Sequence, residues 1–348
     1  MNKKAILTFH YAHNYGAFLQ SFSLGKEIDD SFIVNYVPYT YKNFVNKWTK
    51  KVLPLVWRIY GHIKYGIFQL FNFKELEQLN LSPKTNRIGS SVKDTYSTFI
   101  AGSDQIWNPT FISEREEIYF LDFAPPTAKR ISYAASLGMK RWPKDFEQRV
   151  LPMLQKFDAI SVREESSVPY LTSLGLKNVV CVCDPTILHT GDFYRREFPG
   201  AKIPKNEYAF VYKIRERIPE PVQELFAYKV ITVDLQKKRT IVSVTDWLGL
   251  IDHAKFVVTD SFHCAVFCLL FHKPFIVLPN NSTQQGMNER FATLLGKTGL
   301  EYRCIGKNDS SEEISEKLNA PVDWAEVESI LQEWRTYSAN WLKNALEN

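Results

Sequence analysis

The residues best placed to do chemistry lie where apolar runs stop. The sharpest case is Val257-Val258-Thr259-Asp260-Ser261-Phe262-His263-Cys264-Ala265-Val266-Phe267. A buried strand ends at Thr259, Ser261 opens an apolar helix, and His263 falls in its first turn. The free N–H groups of a helix start, with their positive potential, favour an anion. An imidazole beside them can act as a general acid near neutral pH. The plainer reading is Asp260 or Ser261 as N-cap with a packed histidine.

Other strand ends carry similar potential. His10-Tyr11-Ala12-His13-Asn14-Tyr15-Gly16 joins a strand to a helix starting near Gly16, where backbone donors could hold an anion or a sugar hydroxyl. An ordinary capped βα loop is the alternative. Gly102-Ser103-Asp104-Gln105-Ile106-Trp107-Asn108-Pro109 follows another apolar run; Gly102 permits close backbone approach, and Asp104 could orient a hydroxyl or take its proton. A capped turn would use the same residues. In Ile160-Ser161-Val162-Arg163-Glu164, Arg163 offers a planar fork of donors suited to phosphate or carboxylate, unless it pairs with Glu164. Cys183-Asp184-Pro185-Thr186 reads as a turn. Arg290, in Asn288-Glu289-Arg290-Phe291, is a further cation or an exposed helix charge.

The elements that must position these residues alternate. Strands are expected at Ala5–His10, Phe32–Val37, Thr98–Ala101, Arg130–Ala134, Ala159–Val162, Val179–Cys183, Tyr208–Lys213, Val230–Val233, Phe256–Thr259 and Phe275–Leu278. Many are continuous apolar runs, as in parallel strands buried on both faces. Helical patterns lie between them, at Gly16–Ile28, Pro143–Phe157, Glu165–Leu174, Pro219–Ala227, Val244–His253, Ser261–Phe271 and Asn288–Leu295. Such alternation predicts doubly wound α/β sheets, with function in the loops after strands. Asp192–Asn206, with two Pro, one Gly and six charges, reads as a linker between two halves. A final helix near Val322–Leu346, carrying Trp324, Trp334 and Trp341, could cover their junction.

Composition narrows the class. The 348 residues suit two domains of about 150 residues each. Hydrophobic residues at 45% and charged residues at 23% exclude a disordered chain. A net charge of +5 is too mild to indicate nucleic acid. The basic character is local: Ser31–Lys74 has seven Lys/Arg and no Asp or Glu, leaving the remainder slightly acidic. Within 42–74, Lys47, Lys50, Lys51 and Arg58 alternate with Trp48, Trp57 and Tyr60, which suits an interfacial helix on an anionic membrane. A helical hairpin on the protein, or an oligomer contact, would use the same residues. No signal peptide or spanning helix is expected. Five cysteines in apolar runs suggest reduced thiols and a cytoplasmic protein. Cys264, Cys268 and His272 share a helix face, but packed thiols are the expected reading and no metal is predicted. Gly-x-Gly-x-x-Gly, P-loop and Asp-x-Asp motifs are all missing.

Taken together, the segments resemble the polysaccharide pyruvyl transferase family. The matching pieces are Asn14-Tyr15-Gly16-Ala17-x-Leu19-Gln20, Gly102-Ser103-Asp104-Gln105-x-Trp107-Asn108-Pro109, Tyr119-Phe120-Leu121-Asp122-Phe123, Ile131-Ser132-Tyr133-Ala134-Ala135-Ser136-x-Gly138, Ser161-Val162-Arg163-Glu164, Asp184-Pro185-Thr186 and Thr259-Asp260-Ser261-Phe262-His263, in family order. Two departures are Cys264, where the family usually has Gly, and Ser261, where some members have Arg. The resemblance implies an α/β chain of two Rossmann-like domains in a GT-B-like arrangement. The first, 1–191, would be the acceptor side with a basic aromatic insertion at 42–74. The second, 192–321, would be the donor side, and 322–348 a helix at the junction.

The resemblance further implies pyruvyl transfer from phosphoenolpyruvate to a sugar of a surface polysaccharide precursor, giving a ketal without metal or cofactor. His263 and Asp104 would be catalytic. Arg163, Ser261, Phe262 and Arg290 would bind the donor, and His10, Asn14, Tyr15, Ser103 and Gln105 the acceptor. A lipid-linked acceptor would place the protein at the inner face of the cytoplasmic membrane. A GT-B glycosyltransferase using a nucleotide sugar, and a non-catalytic saccharide-binding protein of the same fold, are the alternatives.

Overall fold

In the structure, a computed structural model, residues 3–10, 14–37, 73–85, 88–112, 114–226, 229–237, 240–279 and 288–347 are described. The basic aromatic segment 42–74 lies outside them except for Phe73 and Lys74, which open a short helix, Phe73–Leu76.

Among the described residues, ten parallel strands form two sheets. The first comprises β1 (Lys4–Leu7), β2 (Ser31–Ile33), β3 (Thr98–Ala101), β4 (Lys129–Ala135), β5 (Ala159–Val162) and β6 (Val180–Cys181), in the order β2-β1-β3-β4-β5-β6. The second comprises β7 (Tyr208–Lys213), β8 (Lys229–Asp234), β9 (Phe256–Thr259) and β10 (Phe275–Val277), in the order β10-β9-β7-β8. The central strands are apolar throughout because both faces are covered; every residue of β3 and β9 is buried.

Each order reverses direction once, between β1 and β3 in the first sheet and between β7 and β9 in the second. At such a switch point the neighbouring crossovers leave on opposite faces, so the loops after the two strands part and leave a crevice. The fold thus prescribes two places for a site before any side chain is considered.

Helix α1 (Tyr15–Glu27) follows β1. Helix α2 (Lys144–Leu154) covers the first sheet, and α3 (Ser167–Ser173) follows β5. The expected linker does not begin at Asp192. Residues 192–197 belong instead to α4 (Gly191–Glu197), capped by Thr190. Its Tyr194 is buried and donates to Thr186 O at 2.8 Å. This helix escaped the sequence reading because its charged outer face dominates a two-turn segment.

The second half contributes α5 (Val244–Asp252), α6 (Phe262–Leu270) and α7 (Glu289–Thr298). Every residue of α6 is buried, which a helix apolar on all sides requires. One continuous core joins both halves and includes Phe18 and Leu19 of α1, Trp247 of α5 and Phe267 of α6. At the junction Tyr15 stacks on Trp247 with ring centroids 5.0 Å apart, and its hydroxyl donates to Val242 O at 2.8 Å.

The last helix, α8 (Trp324–Glu347), returns to the first half. Ser338 Oγ accepts from Cys183 N at 2.9 Å, and Arg335 Nε donates to Ile187 O at 2.7 Å. It also meets α7, where Lys297 Nζ sits 5.3 Å from the Trp334 ring centroid. No helix among the described residues is long and apolar enough to cross a membrane. All five cysteines are free thiols.

Candidate active site

A cavity of about 280 Å³ opens where the two switch points face each other. Phe9 and Asn14 after β1, and Asp104, Gln105 and Phe111 after β3, form one wall. Ile214, Arg215 and Glu216 after β7, and Asp260–His263 after β9, form the other, with Arg290 of α7. Apolar walls with a few convergent charges are the usual make-up of a small-molecule site.

His263 is fixed from several sides. Ser261 caps α6, its Oγ accepting from Cys264 N at 3.4 Å, which places His263 in the first turn. The imidazole lies against the start of α1 at Gly16. A Cβ at Gly16 would stand 2.0 Å from His263 Nδ1, so only glycine permits this approach. His263 Nε2 points inward, 3.5 Å from Asp184 Oδ2.

Asp184 is fully buried after β6 and gathers the surrounding loops. Its Oδ2 accepts from Arg163 Nη1 at 2.9 Å and Ser103 Oγ at 3.1 Å; its Oδ1 accepts from Thr186 N at 3.0 Å and Thr186 Oγ1 at 2.7 Å. Burial alone would raise its pKa. His263, Arg163 and Thr186 outweigh that and hold the carboxyl well below the usual carboxylate range.

Two arginines flank one aromatic ring. The Arg163 guanidinium lies 4.6 Å from the Phe262 centroid and that of Arg290 lies 5.9 Å from it. Arg163 is 1% exposed; burial opposes its charge, but Glu164, Asp184 and Asp104 keep it protonated. Burial and the neighbouring Arg163 lower the Arg290 pKa to about 10, which still leaves it cationic at neutral pH. Among the described residues, Arg163 Nη2 and Arg290 Nε are buried donors without a hydrogen-bond partner. Unsatisfied buried donors cost stability, and a bound anion would satisfy Arg290 at the cavity wall.

The loop after β7 is held by Asp260. Its carboxylate accepts from Ile214 N at 2.6 Å, Arg215 N at 2.7 Å and Glu216 N at 2.8 Å. Arg215 then lies over Phe111 of the opposite wall, 5.8 Å from its centroid. On the β3 side Asp104 adopts φ 72°, a left-handed conformation that Asp tolerates better than most residues. Its Oδ1 accepts from Gln105 N at 2.8 Å.

The polysaccharide pyruvyl transferase family model matches residues 14–282. The chain belongs to the polysaccharide pyruvyl transferase family. Among solved structures, it is similar to a UDP-N-acetylglucosamine 2-epimerase from Rickettsia bellii, with 12% identity, 99% of this chain and 96% of that one covered, and a TM-score of 0.53. That likeness shows the GT-B fold, the arrangement the family resemblance implied. A UDP-GlcNAc 2-epimerase from Methanocaldococcus jannaschii has 13% identity, coverage of 97% and 100%, and a TM-score of 0.49. A UDP-glucosyltransferase from Polygonum tinctorium has 9% identity, coverage of 99% and 97%, and a TM-score of 0.46. No curated protein sequence matches the chain.

Three of the seven family segments reach the cavity wall, and not every residue singled out in them lines it. Asn14, Asp104, Gln105, Ser261, Phe262, His263 and Arg290 line the wall. Arg163 does not. It sits behind Phe262 and is tied to Asp184, so the fork expected to grip an anion is largely committed inside the protein. Ser103 is likewise spent on Asp184. His10 is buried, with Nδ1 3.3 Å from Thr8 O and Nε2 3.2 Å from Asn35 Oδ1; burial lowers its pKa. Tyr15 serves the junction.

Cys264, where the family usually has Gly, is buried in the core and does not line the cavity. Asp260 is no cap, since Ser261 has that role. Arg215, Glu216, Phe9 and Phe111 also stand at the wall, and Asp184, within a turn-like stretch of sequence, lies at the centre of the network behind it. Family order alone hinted at Asp184; no local pattern announced the others.

Proposed function

We propose that this family member transfers the pyruvyl group of phosphoenolpyruvate to a sugar of a lipid-linked polysaccharide precursor, forming a pyruvate ketal. The observation that carries the reading is the pairing, in one cavity, of His263 with the under-satisfied cation Arg290. Phosphoenolpyruvate brings a phosphate and a carboxylate, which need cations and helix-start donors. Arg290 and the N–H groups at the start of α6 receive the donor. Arg163 adds charge from behind Phe262.

The chemistry balances over two sugar hydroxyls. His263 protonates C3 of the enol, so a C–H bond forms and C2 becomes cation-like. One hydroxyl adds to C2, the C2–O bond to phosphate breaks, and the second hydroxyl closes the ketal. One hydroxyl proton ends in the new methyl group and the other on the released phosphate. Asp104 and Asn14, on the first-sheet wall, orient the hydroxyls. Guanidinium groups and an imidazole suffice for this step, so the proposal requires neither metal nor cofactor.

Thermal denaturation with phosphoenolpyruvate or with uridine diphosphate tests the donor. Ligand at about 100 times its Kd stabilises by about 2.7 kcal/mol, a shift of several degrees. A shift with phosphoenolpyruvate, followed by phosphate release when a lipid-linked oligosaccharide is added, supports the proposal. A shift with uridine diphosphate alone favours a nucleotide-sugar glycosyltransferase. Saccharide binding without phosphate release favours a non-catalytic binding protein.

A further inference from the structure

The contacts of His263 distinguish its two ring nitrogens. We infer that Asp184 is a positioning residue that holds the Nε2–H of His263 toward the interior and leaves Nδ1 as the nitrogen that exchanges protons with the substrate. The inference rests on the reading that His263 moves a proton.

A carboxylate can only accept hydrogen bonds, and Asp184 is held ionised by its neighbours. The ring nitrogen facing it must therefore carry hydrogen. That nitrogen is Nε2, buried and 3.5 Å from Oδ2, without a hydrogen-bond partner among the described residues. The separation is an ion-pair distance, and such contacts often tighten only when substrate is bound. With Nε2 protonated, the neutral ring bears its lone pair on Nδ1. Nδ1 lies away from Asp184, against Gly16 at the start of α1, and the His263 ring and Asn14 both line the cavity.

Asp184 is itself immobile. Thr186 satisfies Oδ1 from the same turn, and Arg163 and Ser103 occupy Oδ2. These partners come from the loops after β3 and β5, whereas His263 comes from the second half. The ring is therefore oriented only when the halves are docked. One buried carboxylate thus fixes the imidazole and anchors Arg163 behind Phe262.

Nitrogen-15 NMR of the full chain, labelled at the histidine rings, tests this without reference to turnover. His263→Gln identifies the His263 signal. The expected result at alkaline pH is a protonated Nε2 and an unprotonated Nδ1. A predominant Nδ1–H form in the wild-type protein overturns the inference, whether or not any variant folds. In Asp184→Asn, whose amide can donate to Nε2, the preference for Nε2–H is expected to be lost. Its retention there overturns the role of Asp184.

In phosphate release from phosphoenolpyruvate, Asp184→Asn is expected to lower kcat by about 10²–10⁴-fold, the worth of one general acid–base group, with KM little changed. An unchanged kcat also overturns the role. If wild-type protein releases no phosphate with any acceptor, the donor reading fails while the ring measurement still decides the tautomer.

Discussion

At the scale of single residues, the site depends on groups that exclude alternatives. His263→Ala should lower turnover by about 10²–10⁴-fold, checked by phosphate release alongside a melting curve showing that the fold survives. Gly16→Ala should lower it as well. In an open helix, alanine would be favoured by about 1 kcal/mol. Here the added Cβ would stand 2.0 Å from Nδ1 of the buried imidazole, so overpacking of about 1–3 kcal/mol wins and the ring is displaced. Asp184 also predicts an acid response. Its folded-state pKa lies well below the ordinary value of about 3.9, so its ionic contribution is complete above that pH and declines progressively as pH falls from there towards the depressed folded-state value. The difference in melting temperature between wild type and Asp184→Asn should therefore narrow from pH 6 towards pH 3.

The same scale shows where reading residues along the chain reaches its limit. His263 and Ser261 were legible because strand, cap and helix are consecutive in sequence. Arg163 was legible as a charge but not in its commitment, because its partner Asp184 lies twenty-one positions on. A turn-like Cys183-Asp184-Pro185 carries no local sign that three other loops converge on it.

At the scale of elements, loops act as units set by one anchor. Asp260 binds three successive backbone N–H groups of the 214–216 loop. Hydrogen bonds to a charged acceptor contribute about 1.5–3 kcal/mol. Asp260→Ala should lower the melting temperature accordingly and weaken donor binding by releasing Arg215 from the wall, measured by titration with phosphoenolpyruvate. Support on the other side is of the same kind. Gly138, at φ 68°, leaves room for Asn108 Nδ2, and a Cβ there would stand 2.2 Å from that atom. The Asn108 amide in turn donates to Gln105 Oε1 at 2.7 Å. Strand and helix order were readable from alternating apolar runs. Helix α4 was not, because a short segment with two arginines and a glutamate resembles a linker until Tyr194 is seen to be buried.

At the scale of the whole molecule, the site exists because two sheets present their switch points to each other. Tyr15 on Trp247, α6 buried across the junction and α8 returning to the first half hold that arrangement. The proposed lipid-linked acceptor would bring the molecule to an anionic membrane through 42–74. In flotation with anionic liposomes, the protein should rise with the vesicles, and neutralising Lys47, Lys50 and Lys51 together should reduce this. Each basic residue near such a surface is worth about 1 kcal/mol, so removing three should weaken binding by roughly two orders of magnitude.

By itself the sequence determined the α/β alternation, the helix cap beside His263 and, through its ordered segments, the family. Those features are fixed by local periodicity and neighbouring residues. Only the tertiary structure decided which polar groups face the cavity. Arg163, Ser103, His10 and Tyr15 turn to internal partners, while Arg290 and Arg215 come to the wall. That choice follows from which buried donors and acceptors meet once the halves dock, and sequence spacing does not encode those encounters.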